Sequence, residues 1–358
     1  MKKRIAVIGG GIVGSTCAFY LAKAGHNITL FDDGTGQATK AAAGIISPWL
    51  SQRRNKVWYR LTANGASFYQ TLLSDLQSLG YNTDFYQQNG TLVFKKSDKL
   101  LDKITNLAHQ RREIDTLIGD LKRMSVDDLT TLMPELTPPS PALFASGGAL
   151  IDGKDFIDTL HQASSQFDFH FVNTKVDITS LEFDAIVLAV GAWLPECLAP
   201  FGLKVDVRAQ KGQLFSACLS NQQTDNYPVL MPQSEIDLLP FKNGKWVIGA
   251  THENDMGFDL TPDLTVLEQM KAEASHWLPE LDRCDMEDIR VGTRAYTSDY
   301  TPFFGSVPYL ENVYTASGLG ASGLTSGAYI GYLLSELIQE KELPMDITPY
   351  SPSKYITK

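Results

Sequence analysis

RIAVIGGGIVGSTCAFYLAKAGHNITLFDD, residues 4–33, decides the fold. Arg4-Ile5-Ala6-Val7-Ile8 is a short β-branched run of the kind found in buried parallel strands. It leads into glycines at 9, 11 and 14, spaced G-x-G-x-x-G. Residues 15–24 then read as a helix stopped by Gly25, and Asn27–Phe31 as a second strand ending at Asp32-Asp33. Each part has a mechanical reason. Gly9 permits the tight turn, Gly11 lets a pyrophosphate reach the backbone, and Gly14 lets helix and strand pack closely. Free N–H groups at the helix start, around Ile12 and Val13, face the phosphates, together with the positive end of the helix dipole. Asp32, backed by Asp33, is placed to accept hydrogen bonds from ribose hydroxyls and would repel a 2′-phosphate. A glycine motif alone could be an ordinary turn. Strand, glycines, helix, strand and acid in this order predict a bound dinucleotide, either NAD or FAD.

The length, 358 residues, suggests two domains with a sizeable core. A net charge of −10, from 31 basic and 41 acidic residues, argues against a nucleic-acid binder. Cys17, Cys197, Cys218 and Cys284 are isolated and suit a reducing cytoplasm, and neither they nor the six histidines have metal-ligand spacing. Lys2-Lys3-Arg4 and the apolar run behind it imitate a secretory signal, but the glycines at 9, 10, 11 and 14 break that run. No stretch is long enough for a membrane span. Residues 38–47, with Thr39, Ala43, Gly44 and Ile45, are rich in small side chains, which allow a flat ring system to approach the backbone.

Residues 5–46 resemble the N-terminal signature of the FAD-dependent D-amino-acid oxidase superfamily, in particular its glycine-oxidase and sarcosine-oxidase branch. Later segments resemble it in order. Asn173-Thr174-Lys175-Val176 resembles the segment whose backbone contacts adenine, with Val176 its contact residue. Residues 183–193 resemble the later strand of the FAD domain, ending in Gly191-Ala192-Trp193. Arg208-Ala209-Gln210-Lys211-Gly212 resembles the crossover to the substrate domain, and residues 246–252 its G-A-T strand. Val291-Gly292-Thr293-Arg294, with Asp299 and Pro302, resembles the G-x-R…D…P block. Residues 318–325 resemble the loop over the flavin's pyrimidine edge.

The resemblance implies an α/β protein. Its Rossmann-like FAD domain, of glutathione-reductase type, would comprise residues 1–80, 145–207 and 294–358. An interleaved α+β substrate domain on an antiparallel sheet would take residues 81–144 and 208–293. It further implies non-covalently bound FAD, with Gly318, Leu319, Gly320, Ser322, Gly323, Leu324 and Thr325 at the flavin. Arg294 is the implied anchor for a substrate carboxylate, its planar fork matching the two oxygens. The implied reaction oxidises the C–N bond of an amino acid, whether glycine, a D-amino acid or an N-methyl amino acid, by hydride transfer to flavin N5. The imine then hydrolyses and O2 is reduced to H2O2.

Three positions depart from the glycine-oxidase pattern. Asp237 stands where a tyrosine is common, and would repel a carboxylate but hold a cationic amine or side chain. Leu319 replaces a common histidine, and Ala321 replaces a second substrate arginine. A larger or more basic amino acid therefore enters consideration. The rival readings are a same-fold dehydrogenase reducing a quinone or carrier, an NAD-linked dehydrogenase, a non-catalytic flavin-binding subunit or sensor, and a tRNA-modifying oxidase. Homo-oligomerisation is compatible with all of them. His252, Tyr296 and Tyr300 are lesser pocket candidates, while Cys17 and Trp49 read as packing. Asn89-Gly90 predicts a hairpin, and residues 97–133 a solvated helix pair.

Overall fold

The computed structural model describes residues 2–219 and 222–358. At the centre of a six-stranded sheet lies strand Arg4–Ile8, buried from Ile5 onward. Asn27–Phe31 and then Phe169–Val172 run parallel on one side, Ala185–Leu188 and Val313–Ser317 on the other. Phe303–Ser306 closes that edge antiparallel. Covered on both faces, the central strand has no polar alternation, and its continuous apolar run follows from that.

Two helices pack on this sheet and a third packs on them. Helix Ile12–Lys23 contacts the long C-terminal helix Gly323–Ile338, and the approach is nearly backbone to backbone. A Cβ built on Gly331 would lie 2.5 Å from the Val13 carbonyl oxygen and 2.9 Å from Thr16 Cβ. Helix Lys56–Ser78, whose Asn55 cap accepts from the Trp58 N–H, packs against the C-terminal helix. There the Tyr69 hydroxyl donates to the Leu324 carbonyl at 2.6 Å. Phe19, Leu21, Leu72, Ile330 and Leu333 fill the core among these helices.

A second sheet has eight strands. In spatial order they are Glu287–Tyr296, Arg208–Cys218, Lys245–Gly249, Asp237–Pro240, Val229–Met231, Thr91–Phe94, Ala142–Ala145 and Leu121–Met124. All neighbours are antiparallel except Val229–Met231 and Thr91–Phe94. Helix Leu264–Ser275 covers one face over Phe215, Trp246 and Ile248. A three-stranded sheet joins Ile45–Ile46, Ala149–Ile151 and Tyr86–Gln87.

Two local expectations need correction. Asn89-Gly90 does not turn a hairpin, because the flanking strands belong to different sheets. Gly90 donates to the Gly148 carbonyl, at φ +88° and against the Phe144 ring, and so hands the chain from one sheet to the other. Residues 97–133 are not simply two helices. Between Asp98–Arg112 and Val126–Leu132 lies the edge strand Leu121–Met124. Lys122 and Arg123 make it look helical and solvated, yet charges are what an exposed sheet edge carries against further pairing.

The close approach at Gly331 generates a test. Gly331→Val should push the first helix away from the last and cost about 1–3 kcal/mol, as overpacking does. Urea unfolding of the purified protein checks this, and an unchanged midpoint would refute the tight contact.

Candidate active site

Two contiguous cavities open along the seam between the two large sheets, and both are walled by Thr39, Arg294, Gly320 and Gly323. The larger, about 1210 Å³, starts from the glycine turn. Gly9 sits at φ +101° with its Cα against the Ala189 carbonyl, and Gly14 packs on the Gly9 carbonyl. Gly11 differs from both. Its backbone is ordinary extended chain, and a Cβ there would meet only Thr39 Oγ1, at 3.4 Å. The protein's own packing thus gives no reason for a glycine at position 11; the cavity in front of it does.

Gly11 caps helix Ile12–Lys23 without a side-chain hydrogen bond, and the Ile12 N–H donates to Thr39 Oγ1 at 3.0 Å. Asp32 closes the turn by accepting from the Gly10 N–H and from Gln37 Nε2 at 2.6 Å. Ile12, Val13, Asp32, Asp33, Val176, Gly191 and Leu319 share this wall. Trp193, Thr174 and Lys175 join them. The Trp193 ring meets Phe258 in a tilted pair at 4.9 Å and packs over Gly36. The loop carrying Phe258 is tied down by buried Lys211, which donates to Asp259 at 2.7 Å and to the Thr261 carbonyl. The Lys211 bond, joined by the Thr261 N–H donating to the same carboxylate at 2.9 Å, holds the Asp259 carboxyl at about 2.

The smaller cavity, about 890 Å³, lies between the segment from Ala38 to Ile45 and one face of the eight-stranded sheet. Beside the buried Leu214, Leu239 and Val247, glycines thin that face. Gly212 pairs with Gly292 across neighbouring strands, and Gly249 pairs with Leu214. A Cβ on Gly292 would lie 2.7 Å from Ala41 Cβ, and one on Gly212 would lie 2.7 Å from the Arg294 guanidinium carbon. Arg294 therefore lies flat over Gly212. Its Nη1 donates to the Thr251 carbonyl at 2.7 Å and to Gln210 Oε1 at 3.3 Å. Burial lowers its pKa from the ordinary value, but a guanidinium stays protonated at any working pH.

Asp237, Glu235, His252 and Ala321 complete this cavity, with Ala43, Gly44, Ile45 and Leu324. Desolvation in the cavity wall pushes the Asp237 carboxyl up to about 7. His252 and Glu235 are exposed at the mouth, their side chains 4.0 Å apart. The His252 pKa is lowered by desolvation and then by Arg294.

Four candidates stand behind the wall. Gly14 packs on Gly9 and Gly318 on Thr297, Ser322 Oγ accepts from Trp58 Nε1, and Thr325 Oγ1 donates to the Ile45 carbonyl. Tyr296 is buried with its hydroxyl accepting from the Ala321 N–H at 3.0 Å, so it shapes the loop without lining the cavity. Tyr300 is half exposed and Cys17 is packed in the core. Trp193, Glu235 and the bare glycine floor were not singled out by sequence reasoning. Mid-strand glycines at 212, 249 and 292 were the available signal of a close approach.

The family model described as DAO, FAD dependent oxidoreductase, matches residues 4–337. The chain belongs to this FAD-dependent oxidoreductase family. It is 36% identical to the uncharacterized oxidoreductase YurR of Bacillus subtilis, over 98% of this chain and 99% of the relative. It is 27% identical to a glycine oxidase of Pseudomonas aeruginosa, over 99% of each. The crystal structure of iminodiacetate oxidase from Chelativorans sp. BNC1 superposes with a TM-score of 0.91 at 30% identity, covering 98% of this chain and 99% of that one. The residues of this FAD-dependent oxidoreductase fit the cofactor, for Gly11 leaves a cradle bordered only by the Thr39 hydroxyl, at a helix start whose cap residue has no side chain. Among the described residues no helix is long and apolar enough to cross a membrane.

Gly11→Leu separates a fold requirement from a cofactor requirement. The apoprotein should keep its far-UV circular dichroism and melting temperature, while the FAD bound per chain after reconstitution falls to near zero. Loss of the fold itself would show that Gly11 serves packing instead.

Proposed function

We propose that this flavoenzyme oxidises the C–N bond of an amino acid whose carboxylate is held by Arg294. The observation that carries this reading is the guanidinium lying where the two cavities meet, positively charged and flat against a glycine floor. When bound, FAD supplies a two-electron acceptor for the substrate's hydride. Arg294 fixes the carboxylate and with it the α-carbon, which is the positioning that turns an encounter into a reactive arrangement. Its bonds to Thr251 and Gln210 restrict its rotation, so little side-chain freedom is lost on binding.

The substrate amine must be neutral for its lone pair to drive hydride loss. The small residues Ala41, Ala42, Ala43 and Ala321 leave room around the reacting carbon. At the other cavity, backbone at Gly9, Gly11, Ile12 and Val13 would hold the pyrophosphate, and Asp32 the ribose. The loop at Leu319, Gly320 and Gly323, which opens the last helix, would present N–H groups to negative charge on the cofactor. Water then hydrolyses the imine to a carbonyl product and an amine or ammonia.

Two similar proteins are named for glycine and for iminodiacetate. Both compounds are amines with a carboxylate one carbon away, which supports a C–N bond beside a carboxylate as the reacting group. Both names are those of oxidases, and this supports O2 as acceptor with H2O2 as product. The four free thiols support a reducing, cytoplasmic setting.

Anaerobic titration of the purified yellow protein with glycine, sarcosine, iminodiacetate, L-proline and D- and L-amino acids tests the reading. At least one should bleach the visible flavin band, and air should restore it. Arg294→Gln should lower kcat/KM by roughly a hundredfold, mostly through KM, as expected for loss of a charge-assisted anchor. No bleaching by any amino acid would overturn the assignment, and colour restored only by an added quinone would make the enzyme a dehydrogenase.

A further inference from the structure

Charge in the smaller cavity is polarised. Arg294 supplies the positive end, and Asp237 and Glu235 the negative end. Asp237 opens strand Asp237–Pro240 and lies level with Gly249, which pairs in turn with Leu214. Since Arg294 lies over Gly212, the acid is two strands across and two residues along from it. At about 4.8 Å per strand and 3.4 Å per residue, that is roughly 12 Å between the backbone under the guanidinium and the backbone of Asp237.

A glycine molecule does not span such a gap. Its carboxylate carbon and its nitrogen are only about 2.5 Å apart from bond lengths, and charge-assisted hydrogen bonds add about 2.8 Å at each end. Something must extend from the α-carbon for both ends of the cavity to be used. Among the described residues nothing hydrogen-bonds or ion-pairs with the Asp237 carboxylate, and desolvation alone acts on it. An unpaired acid in a cavity wall is costly unless a ligand meets it.

We propose that Asp237 receives a cationic side chain, so that the preferred substrates are basic amino acids with their carboxylate on Arg294. This rests on the amino-acid reading above. The charged groups facing Asp237 are consistent with it. Glu235 adds a second acid at the mouth, and the lowered pKa of His252 keeps that ring neutral near pH 7. Arg290, in the same lateral row, is occupied by the Lys40 and Ala42 carbonyls. A bound cation favours the ionised carboxyl, and its affinity should rise as pH increases through about 7.

The test combines binding with reactivity, using the FAD-loaded protein. Calorimetry compares 5-aminopentanoate with pentanoate; both have a carboxylate and neither has an α-amine. The amine should improve affinity about tenfold, the worth of a charged hydrogen bond, and the gain should vanish in Asp237→Asn. The gain should also shrink below pH 7 in wild type, while Asp237→Asn shows no such pH dependence. In the anaerobic assay, ornithine and lysine should bleach the flavin faster than norvaline and norleucine.

Equal affinity for the two acids in wild type, or a gain that persists in Asp237→Asn, overturns the cation site. If neutral amino acids then still bleach the flavin, amino-acid oxidation itself survives. A charge-dependent binding gain without bleaching by any amino acid supports the cation site and overturns the oxidation reading.

Discussion

The architecture depends on how closely the first and last helices approach one another. At Gly331 the last helix touches the Val13 backbone, and at Gly14 the first helix touches the turn at Gly9. A side chain at either glycine would separate elements whose ends must meet. Because the contact is tight, the start of helix Ile12–Lys23 and the loop leading into Gly323–Ile338 both reach the same cavity. The two helix starts come from opposite ends of the chain. Together they make one electropositive frame.

The second sheet contributes by absence. Sheets bury side chains, yet the face above the segment from Ala38 to Ile45 has lost them at Gly212, Gly249 and Gly292. The lost packing is repaid in space, and a long side chain from the edge strand, Arg294, can fold down into it. Its charge is tolerable there because Thr251 and Gln210 accept its protons in a partly desolvated place. Removing bulk from the floor and adding one anchored charge are thus parts of one arrangement.

The dinucleotide half of the site was legible in the sequence because it is local. Turn, helix start and acid fall within residues 9–32, and Gly14 packs on the nearby Gly9 carbonyl, although Gly9 itself also meets the distant Ala189. Asp237 was legible only as a departure from a resembled pattern, and its place across from Arg294 depends on the register of four strands. Glu235 carried no local signal, and Trp193 only its place at the end of the Gly191-Ala192-Trp193 resemblance. Asn89-Gly90 shows the reverse error. The dipeptide does turn the chain, but which sheet each flanking strand joins is decided by distant partners, Ala149–Ile151 on one side and Ala142–Ala145 on the other.

The pairing order of the six-stranded sheet also governs how the protein is made. Strand Arg4–Ile8 pairs with Ala185–Leu188, which pairs with Val313–Ser317. During synthesis the first strand must therefore wait for half the chain before it gains its second neighbour, and the cavity wall is incomplete until residues 313–323 emerge. Contacts so far apart in sequence close slowly. The glycine turn, whose Gly9 rests on Ala189, gains its contacts only after half of the chain is made, and its cavity gains its far wall only with residues 313–323.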